Sequence, residues 1–397
     1  MTNDTSGLVE APKRYRRILG RQSGDGPTLI ALAGIHGNEI AGVRAAQRVL
    51  AWLERERPPL NGEIVFLAGN LPALRRNSRF IDLDLNRQWT PDKVAAVVAG
   101  QGCAGEPAEH GEQRELMQTL RGVVETAHGQ LYFVDLHSSS ADGPPFVTIG
   151  DTLRNRQFAQ GLPLPLILGL EEQVDGALLE LLNNHGFITM GVEAGFHDAP
   201  TSIDRHEAVL WLTIVAAGIL REEHAPELMP RRELLREAAR GVPPVIEVRH
   251  RHAISNGDGF RMQPGYFNFR PVREGELLAH DRQGPIHSPA DGLILLPLYQ
   301  GQGDDGFFVS RKVPPFWLSL SALLRRLRVN RLMRFLPGVR RDPDNPEDLI
   351  VDTRLVRVYP LEIFHLSGFR KVRQNGSLLT VTRRRYDLDP PRRISFI

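Results

Sequence analysis

LIALAGIHGNEIA, residues 29–41, decides the fold class of this 397-residue chain. Residues 29–33 form an apolar run, which predicts a buried strand. The run breaks at Gly34, and His36, Gly37, Asn38 and Glu39 follow. From Val43 the apolar positions Val43, Ala46, Val49, Leu50 and Leu53 recur at helical spacing. An imidazole and a carboxylate thus stand three residues apart where a central strand ends, the place where open α/β sheets bind their ligands. Both are good zinc ligands. An HxxE pair by itself is more often an ordinary loop pair, so its meaning depends on the rest of the chain.

Outward from this stretch, apolar runs at 63–69, 131–136, 146–149 and 186–192 predict further strands. Helical spacing is expected between the first two strands, at 112–127, at 174–184, and from Ser202 to about Leu220, with Ser202 or Asp204 as cap. The alternation predicts an α/β fold: a mixed, largely parallel sheet covered by helices. Residues 1–26 are polar and read as an irregular arm or an edge strand, and 93–111 as an exposed connection. The charged stretch 221–244 ends in Pro243-Pro244, and the texture then changes to short β-like runs between Gly, Pro, Asp and Asn turns. Two domains are expected: a catalytic domain at 1–240 and a smaller, mainly β C-terminal domain at 241–397, with a basic helical insertion near 316–337. Runs at 351–359 and 378–383 should return to a sheet.

Composition excludes several classes. The 49 Lys and Arg nearly balance 47 Asp and Glu, so no global field attracts nucleic acid or membrane. Cys103 is the only cysteine, which rules out an internal disulfide and a four-cysteine zinc site. The polar N-terminus has no apolar signal region, and no apolar run is long enough to span a bilayer. A cytoplasmic enzyme without stable membrane insertion is expected, with homo-oligomerisation left open.

Three further segments give the HxxE pair its meaning. His137 follows a predicted strand in VDLHSSS, which supplies the third ligand of a catalytic zinc site and leaves a position for water. Asp135, two residues earlier, can orient a ligand imidazole or simply satisfy nearby amides. Glu193 ends another strand in GVEAG, where a carboxylate beside a metal can take a proton from water. Arg79, Asn86 and Arg87 share the polar segment 77–89 (NSRFIDLDLNRQW). Arginine forks grip carboxylates and stabilise developing oxyanions. Asp82 and Asp84 read as structural partners of nearby arginines or amides. His110, His185, His197, His206, His250, His252 and His287 lack ligand-like spacing, including the HRH triplet at 250–252.

GIHGNE (34–39), RFIDLDLNR (79–87), DLHSS (135–139) and GVEAG (191–195), in that order and spacing, resemble the succinylglutamate desuccinylase/aspartoacylase family, a branch of the zinc carboxypeptidase fold. The resemblance covers roughly residues 28–220 and is looser downstream. It implies one zinc ion held by His36, Glu39 and His137, with Glu193 as general base and acid. It implies that Arg79 polarises the scissile carbonyl and that Asn86 and Arg87 bind the α-carboxylate of an N-acyl amino acid. The implied reaction is amide hydrolysis, releasing an acyl acid and a free amino acid. Two departures concern specificity and not metal chemistry. Phe307 aligns with a substrate-binding tyrosine of the C-terminal domain, with Tyr266 or Tyr299 as substitutes. An arginine expected before the catalytic glutamate is replaced in a region holding Asn183 and His185. The rival readings are a zinc metallocarboxypeptidase acting on peptides and a non-catalytic ligand-binding member of the fold.

Segment 318–336 (LSLSALLRRLRVNRLMRFL) carries many arginines and no acid. It is expected to pack on the β domain with a basic solvent face. Other readings are a helix lying on an anionic membrane surface, a wall of the substrate entrance, or an oligomer contact.

Overall fold

The computed structural model describes residues 14–19, 26–100, 105–255, 257–343, 345, 347–352, 354, 361–375 and 377–394. Its strands up to residue 253 are β1 (Tyr15–Leu19), β2 (Thr28–Ala33), β3 (Glu63–Ala68), β4 (Leu131–Ser139), β5 (Phe146–Thr148), β6 (Leu166–Leu168), β7 (Ile188–Phe196) and β8 (Val245–Ala253). After them come β9 (Arg261–Met262), β10 (Pro271–Val272), β11 (Leu277–Asp281), β12 (Gly284–His287), β13 (Gly292–Leu295) and β14 (Asp305–Lys312). The last four are β15 (Val339–Arg341), β16 (Asp348–Asp352), β17 (Phe369–Asn375) and β18 (Leu378–Arg383).

Eleven strands form one mixed sheet in the order β1-β3-β2-β4-β7-β5-β6-β8-β14-β13-β10. β2 pairs in parallel with β3 and β4, β4 with β7, β5 with β6, and β6 with β8. β1 pairs antiparallel to β3 at the edge, and β5 to β7 inside. This is the largely parallel, helix-covered α/β sheet that the alternation predicts.

The run 29–33 is apolar throughout because β2 is covered on both faces. Leu29, Ala31 and Ala33 enter one core with Val43, Val49 and Leu53 of the helix Ile40–Glu56, and with Trp211 of the helix Pro200–Ala216. Ile30 and Leu32 face the other way, onto Leu116 and Leu120 of the helix Ala108–Thr126.

Several expectations shift. β4 and β7 run three residues or more beyond their apolar runs, so His137 and Glu193 lie within strands and are partners in register. Helix Leu153–Ala159 and β6 had no legible pattern. The 93–111 connection contains the end of a helix, Pro91–Ala99, and the start of another, Ala108–Thr126; Cys103 lies outside the described residues, as do 1–13 and 355–360.

Near residue 240, where the boundary is expected, the pairing continues: β8 joins β6 in parallel, and β14, β13 and β10 extend the same sheet antiparallel. Two small antiparallel sheets, β12-β11-β9 and β15-β16-β18-β17, complete the C-terminal part. Helix Pro315–Arg326 lies between β14 and β15 and is followed by short turns at Val329–Arg331 and Met333–Phe335.

Candidate metal centre

The loop after β2 turns tightly because two glycines permit it. Gly34 has φ +70°, where a side chain is strained. A Cβ on Gly37 would lie 2.1 Å from the backbone of Ala73, and its N–H donates to the Arg79 carbonyl at 3.1 Å. The turn places His36 and Glu39, both buried, on one side of the sheet's edge. β4 brings His137 to the same point. The Nδ1 atoms of His36 and His137 lie 2.9 and 3.0 Å from the two oxygens of Glu39. One donor atom from each residue falls within 4.8 Å of the other two, so the trio can hold a metal ion. The Ser138 N–H also donates to Glu39, at 3.0 Å.

Behind each imidazole stands a buried aspartate. His36 Nε2 is 3.1 Å from Asp84 Oδ1, and His137 Nε2 is 3.0 Å from Asp135 Oδ2. Asp84 is hydrogen-bonded to Nε2 of His36, which leaves that ring's Nδ1 lone pair facing inward, as a metal ligand requires, while Asp135 lies at ion-pair distance from Nε2 of His137. Three carboxylates around two imidazoles also make a cluster that calls for positive charge. Arg79 lies beside two of these carboxylates, and the imidazole of His137 is within 3.0 Å of both Asp135 and Glu39. Burial pushes its pKa down, but Asp135 and Glu39 outweigh this and hold it well above the usual value. Burial likewise opposes ionisation of Glu39, yet His36 and His137 keep it well below the usual carboxylate range. The donor set therefore fits a divalent cation of the kind that takes nitrogen and carboxylate ligands.

Glu193 sits across the ladder from His137. Burial pushes its pKa up to about 7; Glu39 and Asp135 add to the rise while His137 and Arg79 oppose it. Its Oε2 has no hydrogen-bond partner among the described residues. Arg79 donates through Nε and Nη2 to Asp84 Oδ2, at 3.1 and 2.9 Å, while Nη1 lies 3.8 Å from Glu39. Asn86 Oδ1 accepts from the Leu178 N–H at 3.0 Å, and Arg87 Nη2 contacts Asp305 of β14 at 2.7 Å.

The seven candidate residues line one cavity of about 150 Å³: His36, Glu39, His137, Glu193, Arg79, Asn86 and Arg87. Residues 296–305, the connection from β13 into β14, supply much of its rim.

Sequence reasoning missed some of what is here. Asp84 pairs with Arg79, as expected of a structural partner, but it also holds His36. His197 lines the cavity, with Nδ1 2.8 Å from Ser138 Oγ. The tyrosine substitutes fail. Phe307 is buried and stacks on His252, with ring centroids 5.0 Å apart. The side chains of Tyr266 and Tyr299 bond to each other's neighbourhood and not to the cavity: Tyr299 Oη accepts from the Tyr266 N–H, and Tyr266 Oη donates to Glu276. No tyrosine is among the described lining residues; Phe308 is. Asn183 is buried in a bond with Asn155, at 2.6 Å.

Residues 25–178 match the Succinylglutamate desuccinylase/Aspartoacylase catalytic domain. A succinylglutamate desuccinylase of Photorhabdus laumondii is 40% identical over 62 residues, which is 16% of this chain and 19% of that protein. The alignment thus spans about a fifth of that relative's length. Among solved structures, a succinylglutamate desuccinylase from Vibrio parahaemolyticus superposes with TM-score 0.55 at 14% identity, covering 76% of this chain and 86% of that one. The product-bound ectoine utilization protein EutE (DoeB) from Ruegeria pomeroyi gives TM-score 0.53 at 21% identity, covering 75% and 88%. At these identities the likeness is one of fold.

Proposed function

We propose, from the match of residues 25–178 to the Succinylglutamate desuccinylase/Aspartoacylase catalytic domain, that this chain is a zinc-dependent deacylase of that family, cleaving the amide bond of an N-acyl amino acid. The observation that carries the reading is the convergence of two imidazole Nδ1 atoms on the carboxylate of Glu39, each imidazole backed by its own aspartate. His36, Glu39 and His137 would hold the zinc. Bound zinc supplies Lewis-acid polarisation of the acyl carbonyl and acidifies the attacking water.

The remaining roles belong to this chain's side chains. Glu193 takes the proton from the attacking water and returns it to the leaving nitrogen. A carboxyl with its pKa near 7 is suited to both directions. Arg79 has two nitrogens tied to Asp84, which orients the third, Nη1, toward Glu39 and the reacting centre. That nitrogen donates to the carbonyl oxygen as charge develops on it. Arg87, with Asn86, binds the substrate's α-carboxylate, which competes with Asp305 for the guanidinium.

A small cavity rimmed by the 296–305 connection favours a small acyl amino acid over the peptide of a carboxypeptidase. Elemental analysis of the purified protein with a screen of N-acyl amino acids tests the proposal. Zinc near one per chain and release of a free amino acid are expected. A metal-free protein inactive on every substrate even after zinc addition would overturn it.

A further inference from the structure

The helix Pro315–Arg326 is packed the wrong way round for a soluble surface. Its buried residues are Ser321 and Arg325. At 3.6 residues per turn, Phe316, Leu323 and Leu327 fall on the opposite face, and they are 65%, 54% and 66% exposed. The turns that follow add Leu332 and Phe335, at 59% and 69%, and Trp317 flanks the face at 44%.

The inversion has a cause. Arg325 is drawn inward by Asp151, bonding its carbonyl and Oδ2 at 2.9 Å each, and by Asp387 at 3.3 Å. Ser321 Oγ donates to the Leu366 carbonyl at 2.9 Å. This polar anchor, with Leu318 packed on the core, holds the helix down and leaves Phe316, Leu323 and Leu327 outward. The basic solvent face expected from the sequence is therefore a mixed apolar and basic one.

Charge identifies what this face fits. Residues 306–341 contain eight arginines, one lysine and no acid. Arg326, Arg331, Arg334 and Arg340 are exposed as well, while Arg328 pairs with Asp389 at 3.6 Å. A second copy of the chain would set this cationic patch against itself in a two-fold contact, which is unfavourable. An anionic bilayer accepts both components: Phe, Trp and Leu enter the headgroup–acyl boundary, and arginines meet lipid phosphates. Among the described residues no helix is long and apolar enough to cross a membrane, so the contact is peripheral.

We infer that residues 316–335 dock this protein reversibly on anionic lipid surfaces. Flotation of the full chain with vesicles of phosphatidylglycerol and phosphatidylcholine, against phosphatidylcholine alone, tests it. Binding to the anionic vesicles only, weakened by salt, is expected. Replacing Trp317, Leu327 and Phe335 together by Ser should reduce binding about tenfold or more. Arg331→Gln and Arg334→Gln should each reduce it roughly fivefold, and as exposed single substitutions they provide the readout if the triple variant misfolds. No flotation at low salt, flotation unaffected by these variants, or a solution dimer that the triple variant dissociates would each overturn the inference.

Discussion

Asp84 and Asp135 stand behind the two imidazoles proposed as metal ligands. Each contacts Nε2 of its histidine, and each is buried. Losing such a carboxylate commonly costs ten- to a hundredfold in metal affinity. Asp84→Ala and Asp135→Ala should therefore each weaken zinc by about that factor in a chelator competition, with all three ligands still present. Asp135 was legible because it lies two residues from His137 on the same strand. Asp84 was not, because it reaches His36 across 48 positions and its nearer partner, Arg79, already accounted for it. As the proposed base, Glu193 would set the pH response. Its carboxylate must be free to take a proton, and burial raises its pKa to about 7. Activity should therefore fall as pH drops into the acid range, on a limb that lies below that value because a bound dication favours the carboxylate. A pH profile of kcat/KM that is flat through the acid range would remove Glu193 from the role of base.

Strands and helices position these residues where apolar patterning alone stops short. The 131–136 run ends before His137, yet the β4 ladder continues to Ser139, because backbone pairing with β7 does not need apolar side chains. Helix Pro315–Arg326 misleads in the opposite sense. Its pattern predicts an apolar face turned inward, but Arg325 finds Asp151 and Asp387, which no local rule could place beside it. Asp151 also holds Arg156, at 2.6 Å. Asp151→Ala would leave two buried guanidiniums without it and should cost about 3–5 kcal/mol in denaturant unfolding. A change within experimental error would mean that the helix is held by something other than this network.

The whole molecule ties its C-terminal part back to the sheet that carries the candidate site. β8, β14, β13 and β10 extend that sheet, and Arg384, just past β18, reaches Glu171 and Glu172 at 3.1 and 3.6 Å. One guanidinium shared by two buried carboxylates leaves a proton bound. Burial foremost, despite Arg384 and aided by Glu172, raises Glu171 to about 8. The native state thus binds this proton more tightly than the unfolded chain does. The associated stability is fully present below the unfolded carboxylate pKa and is lost as pH rises through about 8. Glu171→Gln should flatten that loss, which runs from the unfolded carboxylate pKa up to about 8, in thermal melts; an unchanged pH dependence would contradict the assignment. At this scale the α/β class and the order of the motifs were readable from local patterns. The continuation of one sheet past residue 240 was not, since it depends on the pairing of β6 with β8, more than 70 residues apart along the chain. The central claim is that a metal held by His36, Glu39 and His137 works with Glu193 as the proton carrier. The most direct test is Glu193→Gln, assayed for zinc content and for hydrolysis of the N-acyl amino acid that the wild type prefers. Wild-type zinc and a rate lower by about a hundred- to ten-thousandfold are expected; wild-type turnover in that variant would rule out Glu193 as the proton carrier.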